Sequence, residues 1–267
     1  MDTSSHGYEK VKKQSQIDAP SVVLRRRMQL KGRVSIIIPT MEGREKLLER
    51  ALNSAKRQTY QNKEIIVINE GLSAQEQRSM GVRNSSGKYI AFLDDDDYWI
   101  DDKYLEIMIS HIERDNLAMI SCAYYDERIQ KKRIPNAITA TDLLVSFSNF
   151  ETSATVFTRE SYEKAGGLDL SLKSEHNHDL FYRIAKQGKI GIIPKVMVVK
   201  GYTGKNIGTN RINKLQGYIK FHWKYRKDIM SLPFKRFIFI MVKFLATILL
   251  FILFGNKPRI YEKVMTK

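Results

Sequence analysis

Tyr89-Ile90-Ala91-Phe92-Leu93-Asp94-Asp95-Asp96-Asp97-Tyr98-Trp99 sets an apolar run directly against four consecutive carboxylates and an aromatic pair. The apolar half has the composition of a buried strand, because Tyr, Ile, Phe and Leu gain most from a sheet core. Four acids at its tip repel one another, and burial raises that cost. A divalent cation relieves the repulsion, since hard cations take carboxylate oxygens as ligands. Asp94 and Asp96 lie two apart and leave an extended chain on the same side. That geometry suits clamping a metal already attached to a phosphate. The plainer alternatives are a solvated acidic turn, or caps for a helix starting near Ile100. A buried strand behind the acids, with Gly87-Lys88 leading in, favours the metal.

Working outward, residues 34–40 (Val-Ser-Ile-Ile-Ile-Pro-Thr) predict a buried strand stopped by proline. Residues 45–56 place Leu47, Leu48, Ala51, Leu52 and Ala55 on one helical face, and 64–68 form the next buried strand. Strand, helix and strand with such short joints predict a parallel βαβ unit, right-handed by the general rule. Ligands of such sheets bind beyond the carboxyl ends of the strands. Thr40, Asn69-Glu70 and Asp94 to Asp97 therefore share one rim, with the character of a nucleotide crevice.

A helix is expected over 75–85, with Arg78 as the cation able to reach a diphosphate and Arg83 solvated. An amphipathic helix follows over 104–112, a strand over 117–125, and a charged loop over 126–133. Residues 154–158 predict a strand, followed by a short helix and the turn Gly166-Gly167. A helix opens at Glu175-His176-Asn177-His178-Asp179 and runs to Gln187. The strand over 190–199 contains Pro194, which predicts an edge position. A basic helix over 210–228 carries Tyr218, Phe221, Trp223 and Tyr225, able to pack on the domain or on a membrane surface.

The net charge of +16 attracts phosphate-rich partners, whether nucleic acid, anionic lipid or a nucleotide. Nucleic acid is disfavoured, because the basic residues are scattered and the rim is acidic. The lone Cys122 excludes a disulfide framework, fits a reducing compartment, and sits in an apolar segment as an inert thiol. The first residues lack a signal-peptide pattern, so Asn84-Ser85-Ser86 carries no weight as a glycosylation acceptor. Residues 1–32 form a basic N-terminal tail with Arg25-Arg26-Arg27 near its end, either mobile or briefly helical, with anionic lipid as its sharper partner.

Residues 237–254 are apolar apart from Lys243 and Thr247, with Lys235-Arg236 before them and Lys257 and Arg259 after. Such a helix is about 27 Å long, the short end of a membrane span. Lys243 can snorkel, and basic residues on both flanks leave spanning and lying flat equally open. Membrane attachment is expected, against a buried soluble helix as the alternative.

The motifs Val34-Ser-Ile-Ile-Ile-Pro-Thr40, Leu47-Leu-Glu-Arg-Ala-Leu-Asn-Ser54, Gln58-Thr-Tyr60, Gly87 to Trp99 and Ala165-Gly-Gly-Leu-Asp169 come in one order. In that order the chain resembles family 2 glycosyltransferases, inverting enzymes with the GT-A fold, over residues 33–190. The resemblance implies a GT-A-like α/β domain over 33–200 with a Rossmann-like, mostly parallel sheet flanked by helices. A basic aromatic helical extension over 201–234 and the hydrophobic membrane-associated segment with its basic tail over 235–267 would follow.

It also implies a nucleoside-diphosphate sugar donor and Mn²⁺ or Mg²⁺ held by Asp94-x-Asp96. Asp96 is the best single ligand, Asp94 binds metal or donor ribose, and Asp95 and Asp97 tune the site or cap the next helix. Pro39, Thr40, Asn69, Glu70, Arg78, Asp94 and Asp95 would contact the donor. The acceptor implied is a glycan, with the apolar segment pointing to a lipid-linked surface precursor at the cytoplasmic face of the cell membrane.

Three departures stand out. Where the family has Asp-Asp-Gly-Ser, this chain has Asn69-Glu70-Gly71, whose amide can still pair with a base. About one strand is missing before Arg78, which narrows the sheet. Counting back from Arg183, the usual Glu-Asp pair containing the catalytic base falls on His176-Asn177, and asparagine takes no proton at neutral pH. Glu175 and Asp179 are the favoured substitutes, with His176 and His178 beside them. A sugar nucleotidyltransferase is disfavoured, since Pro39-Thr40-Met41-Glu42-Gly43-Arg44 is not a glycine-rich basic loop. Asn69 and Asn177 also leave open a catalytically weak, membrane-bound partner of another transferase.

Overall fold

A computed structural model describes residues 32–145, 149–203 and 211–254. The expectations for 1–31, for the start of the basic helix at Asn210 and for the tail beyond 254 lie outside the described residues.

The first half is the expected unit, except that the strand over 64–68 is not buried: only Ile68 is, and Val67 is exposed, because this strand lies at the end of the sheet. β1 (Val34–Pro39), α1 (Glu45–Lys56) and β2 (Lys63–Ile68) alternate, and β1 pairs in parallel with β2 from Val34↔Lys63 to Pro39↔Ile68. α2 (Ala74–Arg83) leads into β3 (Tyr89–Phe92), which pairs in parallel on the other side of β1. Alternation along β1 explains why the run is continuously apolar. Ile36 and Ile38 pack into a cluster with α1, while Ile37 packs on the opposite face with Val82 of α2.

Beyond β3 the sheet is mixed. β4 (Tyr98–Trp99), α3 (Tyr104–Asp115), β5 (Leu117–Asp126), β6 (Lys131–Arg133), α4 (Ala140–Val145), β7 (Thr155–Thr158), α5 (Arg159–Lys164), α6 (His176–Ala185) and β8 (Lys189–Lys200) follow in order. The sheet order is β2-β1-β3-β7-β5-β8-β4, with β7 antiparallel to both neighbours and β5 parallel to β8. β2 forms one edge of this path. Gly166 and Gly167 make their turn with φ of +77° and +67°, a region that costs glycine little.

Several expectations are corrected. The helix after the acidic run starts at Tyr104, not near Ile100, because residues 98–99 are drawn into the sheet against Val199 and Val198. Residues 126–133 are not simply a loop, since β6 folds back on β5. Pro194 is at an edge only locally, because β4 reaches β8 at Val198 and Val199 alone and leaves β5 as the sole strand beside the proline. β8 lies between β5 and β4, and the register slips between the Cys122↔Ile193 and Ala123↔Val196 pairs, so the proline sits in an irregularity that needs no ladder donor. The basic helix divides into α7 (Arg211–Lys224) and α8 (Arg226–Met230) at Tyr225, whose hydroxyl is tied to Asp179. α9 (Phe234–Phe254) follows. Cys122 is buried, and burial pushes its thiol up to about 12.

Candidate active site

β1, β2 and β3 end together, which brings Pro39-Thr40, Asn69-Glu70 and the aspartate run to one rim. Asn69 and Glu70 are exposed there, whereas Pro39 and Thr40 are buried. Thr40 is a tie rather than an open wall. Its hydroxyl donates to Asp95 at 2.7 Å, and its N–H faces the Ile68 carbonyl and the Gln77 side chain.

The four aspartates alternate. The side chains of Asp94 and Asp96 are 26% and 21% exposed, against 7% for Asp95, and Asp97 is buried. The two more exposed groups are the expected pair, but the expected extended chain is corrected: β3 ends at Phe92, residues 94–97 form a turn, and the Asp97 N–H donates to the Asp94 carbonyl at 3.0 Å. Their backbone is clamped from several directions. Ser153 accepts from the Asp94 N–H at 3.0 Å and donates to Asp97 at 2.5 Å. Arg50 donates to the Asp96 carbonyl at 2.7 Å, with its guanidinium over the Tyr98 ring. The Gly201 N–H donates to the second Asp97 oxygen at 3.0 Å. A Cβ at Gly201 would stand 1.9 Å from the Asp96 carbonyl oxygen, so only glycine permits this approach. The indole N–H of Trp99 donates to the Ser153 carbonyl at 2.8 Å, and its ring stacks on Tyr104. Neither Asp95 nor Asp97 caps α3, whose N-cap position is Lys103.

Three cations neutralise the acids, and two of them were not anticipated. Arg44 bridges Asp95 at 2.6 Å and Asp96 at 3.0 Å. Burial works against its charge, but the two carboxylates hold it above the ordinary arginine value. Lys200 pairs with Glu151; burial opposes its charge too, yet Glu151 and Asp97 hold it well above the usual lysine range. Burial, with Glu151 and Asp94 nearby, raises Asp97 well above the usual carboxylate value. The third cation, Arg78, was expected to reach a diphosphate. It is buried, and its guanidinium lies on the Asp94 carboxylate.

Hard oxygen donors fit a divalent cation here. Oxygens of Asp94, Asp97 and Glu151 lie within 4.8 Å of one another. Asp97 already accepts from Ser153 and Gly201, however, and Glu151 holds Lys200. Asp94 and Asp96 also hold cations, Arg78 and Arg44, but they are the most solvent-exposed of the four aspartates. Glu151, Ser153 and Lys200 escaped the sequence because only the tertiary fold brings β7 and β8 against the acidic tip.

At the start of α6, His176 is near enough to feel the charges of Arg78 and Asp94. Glu175 is the N-cap residue of this helix at φ +64°, a left-handed conformation that a glutamate adopts only under constraint. Burial raises its carboxyl to about 7, with Lys214 pulling the other way. His176 is held neutral, down to about 4, by burial and then by the charge of Arg78, with Asp94 and Asp179 opposing. Its Nδ1 is buried and has no hydrogen-bond partner. His178 is buried, and its Nε2 meets the Leu143 carbonyl at 2.8 Å. Asp179 is fully buried. One oxygen takes Arg183 and the other takes Lys224 and Tyr225 at 2.7 Å each, so both are saturated.

A parallel βαβ half, an acidic strand tip on its carboxyl rim and a mixed second half define a GT-A-type domain. The fold is shared by solved structures. TarS of S. aureus aligns with a TM-score of 0.56 at 13% identity over 80% of this chain and 43% of its own, so this chain spans less than half of TarS. A mannosyltransferase from Pyrobaculum calidifontis, solved with GDP-Man and Mn²⁺, aligns at 0.57 and 15% identity over 82% of this chain and 71% of its own. An uncharacterised glycosyltransferase of Rickettsia prowazekii is 26% identical over 69% of each chain. The family model for glycosyl transferase family 2 matches residues 35–77 and 69–167. The chain belongs to glycosyltransferase family 2.

Proposed function

We propose that this glycosyltransferase moves a sugar, with inversion, from a nucleoside-diphosphate donor to a hydroxyl of a lipid-linked surface-glycan precursor at the cytoplasmic face of the cell membrane. The carrying observation is the alternation of the aspartates: Asp94 and Asp96 open to the rim, with Asp95 and Asp97 locked beneath them. Asp94 and Asp96 would hold Mn²⁺ or Mg²⁺. Such an ion, when bound, offsets the charge growing on the departing diphosphate. Asn69 and Glu70 present the exposed polar surface for the nucleoside, with Pro39 and Thr40 as the floor beneath. Arg78 is shared between Asp94 and the donor diphosphate. The related folds support a nucleotide-sugar donor, since TarS was also solved with UDP-GlcNAc.

Inversion needs a base on the acceptor side. Asp179 has no free oxygen, so Glu175 takes that role, its burial bringing the carboxyl to about 7. One observation favours His176 as a second reading. Its neutral ring feels both Arg78 and Asp94, and its Nδ1 is unpartnered.

Calorimetry with a panel of nucleotide sugars, with and without Mn²⁺, tests the assignment. Wild type is expected to bind one donor in a metal-dependent way, and Asp96→Ala to abolish that binding while thermal unfolding stays cooperative. Unchanged affinity in Asp96→Ala would refute the metal assignment. Absence of metal-dependent donor hydrolysis across the panel would instead favour a weak partner of another transferase.

A further inference from the structure

α9 contains two kinds of surface. Its polar residues beyond the first turn are Lys243 and Thr247, and both turn toward the protein. Thr247 is buried and donates to the Lys243 carbonyl at 2.8 Å, and Lys243 is half-buried. On the same stripe, Ile240 joins the core cluster of Phe221, Tyr225 and Ile229. Phe244 stacks on Tyr218 at 5.6 Å and lies 5.1 Å from His222. The opposite stripe, Ile238, Val242, Leu245, Leu249 and Ile252, is apolar throughout and at least 40% exposed at every position. Only 11% of the span Phe234–Leu253 is buried, which separates α9 from the core helix of a soluble domain.

A soluble surface helix puts its polar residues outward. α9 does the reverse, so its outer stripe is built for a non-aqueous medium. Length then decides how it meets that medium. The packed stripe runs from Phe237 to Thr247 and holds that part of α9 against the domain. What remains, residues 248–254, is about 10 Å of helix at 1.5 Å per residue, whereas a hydrocarbon core is about 30 Å thick. Crossing would drag the basic helices α7 and α8 into the hydrocarbon.

Exposed cations stand at the N-terminal end of the stripe and on the helix before it. Lys235 and Arg236 stand on the first turn of α9 and Lys227 on α8. Exposed Trp223, with the Arg226 guanidinium 4.6 Å above its ring, is the residue pair favoured at a lipid headgroup boundary. Like charge on a second copy would repel this collar, whereas an anionic leaflet complements it.

We propose that α9 lies in the plane of a leaflet as a monotopic anchor. The stripe from Ile238 to Ile252 enters the acyl boundary, and Lys235 and Arg236 at its N-terminal end rest on anionic headgroups. This deepens the membrane attachment proposed above and does not depend on the sugar chemistry.

Single cysteines at positions 238, 242, 245, 249 and 252 of the full chain, each carrying an environment-sensitive fluorophore, test it on vesicles of phosphatidylcholine alone and mixed with phosphatidylglycerol. Cys122 is buried and is kept. The expected result is flotation with the anionic vesicles, falling at least tenfold in Leu245→Glu/Leu249→Glu. Lipids brominated at two depths should quench all five labels equally and at shallow depth. Quenching that deepens from 238 to 245 and becomes shallow again at 252 would mean a span and overturn the proposal. Labels shielded without vesicles in a protein that sediments as a dimer would overturn it too. Absence of flotation would overturn both this and the membrane attachment it rests on. A calorimetric failure of donor binding would leave the vesicle result standing, so the two readings fail separately.

Discussion

The guanidinium of Arg44 bridges Asp95 at 2.6 Å and Asp96 at 3.0 Å, so an internal cation already occupies one of the carboxylates open to the rim. Asp95 cannot easily lose that partner, because a buried carboxylate left without its cation is costly. Asp96 can, since its side chain reaches solvent. A metal therefore competes with Arg44 for Asp96 alone. Arg44→Gln should tighten Mn²⁺ binding several-fold in calorimetry. It should also lower stability without metal by about 2 kcal/mol, as a part-buried charge pair is broken. Added Mn²⁺ should recover much of that loss in thermal melts. Weaker metal binding in Arg44→Gln would show that Arg44 shapes the site rather than competing for it.

The two candidate bases predict different pH profiles. The Glu175 carboxyl ionises near 7, so a Glu175 base gives kcat/KM rising with pH through about 7 and level above it. Glu175→Gln should then remove that limb with a loss of 10²-fold or more. His176 is already neutral above about 4, so a His176 base leaves the neutral range flat, and His176→Gln carries the loss instead. Stability shows Glu175 separately. Its folded pKa lies above the ordinary value of 4.5, so its contribution is fully present below that and is lost as pH rises through about 7. Urea titrations of wild type and Glu175→Gln between pH 4 and 8 should diverge in that sense.

Much of this was legible in the sequence, for reasons of pattern. α1 runs over the residues that the leucine and alanine spacing marked, because its buried face is continuous. β1, β2 and β3 were legible as short apolar runs ended by proline or polar residues. The aspartate run was not legible in this way: the extended chain assumed for it is a turn at Asp95-Asp96, and the tertiary partners of the four acids set which of them face solvent. Contacts made across the sheet were not legible. Nothing local to Lys200, Glu151 or Ser153 marks them as partners of an acidic tip over fifty residues away in sequence. Pro194 marked a locally open side of β8, but not that the strand is covered by β4 further on or that its register with β5 slips at the proline. Asp179 misled because a carboxylate near a candidate site looks the same in sequence whether free or saturated.

Asp179 is a structural anchor, and its variants should show it. Its oxygens receive Arg183, Lys224 and Tyr225 with no exposed surface, joining α6 to the C-terminal end of α7. Asp179→Ala leaves Arg183 and the Tyr225 hydroxyl without their buried acceptor, while Lys224 keeps Asp169, and should cost about 3 kcal/mol in chemical denaturation. Turnover per folded molecule, measured in the cold, should stay within a few-fold of wild type. A variant that melts normally but has lost turnover would return Asp179 to the list of bases.

Gly201 gives the most direct test of how the acidic tip is held. Its N–H donates to Asp97, and a methyl group there would stand 1.9 Å from the Asp96 carbonyl oxygen and 2.9 Å from Arg50. The obstructing atom at 1.9 Å is backbone, so it can yield only by moving Asp96 itself. Gly201→Ala should therefore cost about 1–3 kcal/mol of stability, as overpacked positions do. It should also weaken Mn²⁺ binding at least tenfold, because the displaced residue is a proposed ligand. Lys195→Ala, which removes an exposed ion pair with Asp101 on the same strand β8, is the control and should leave metal affinity unchanged. If Gly201→Ala binds Mn²⁺ like wild type, the metal is held away from Asp96.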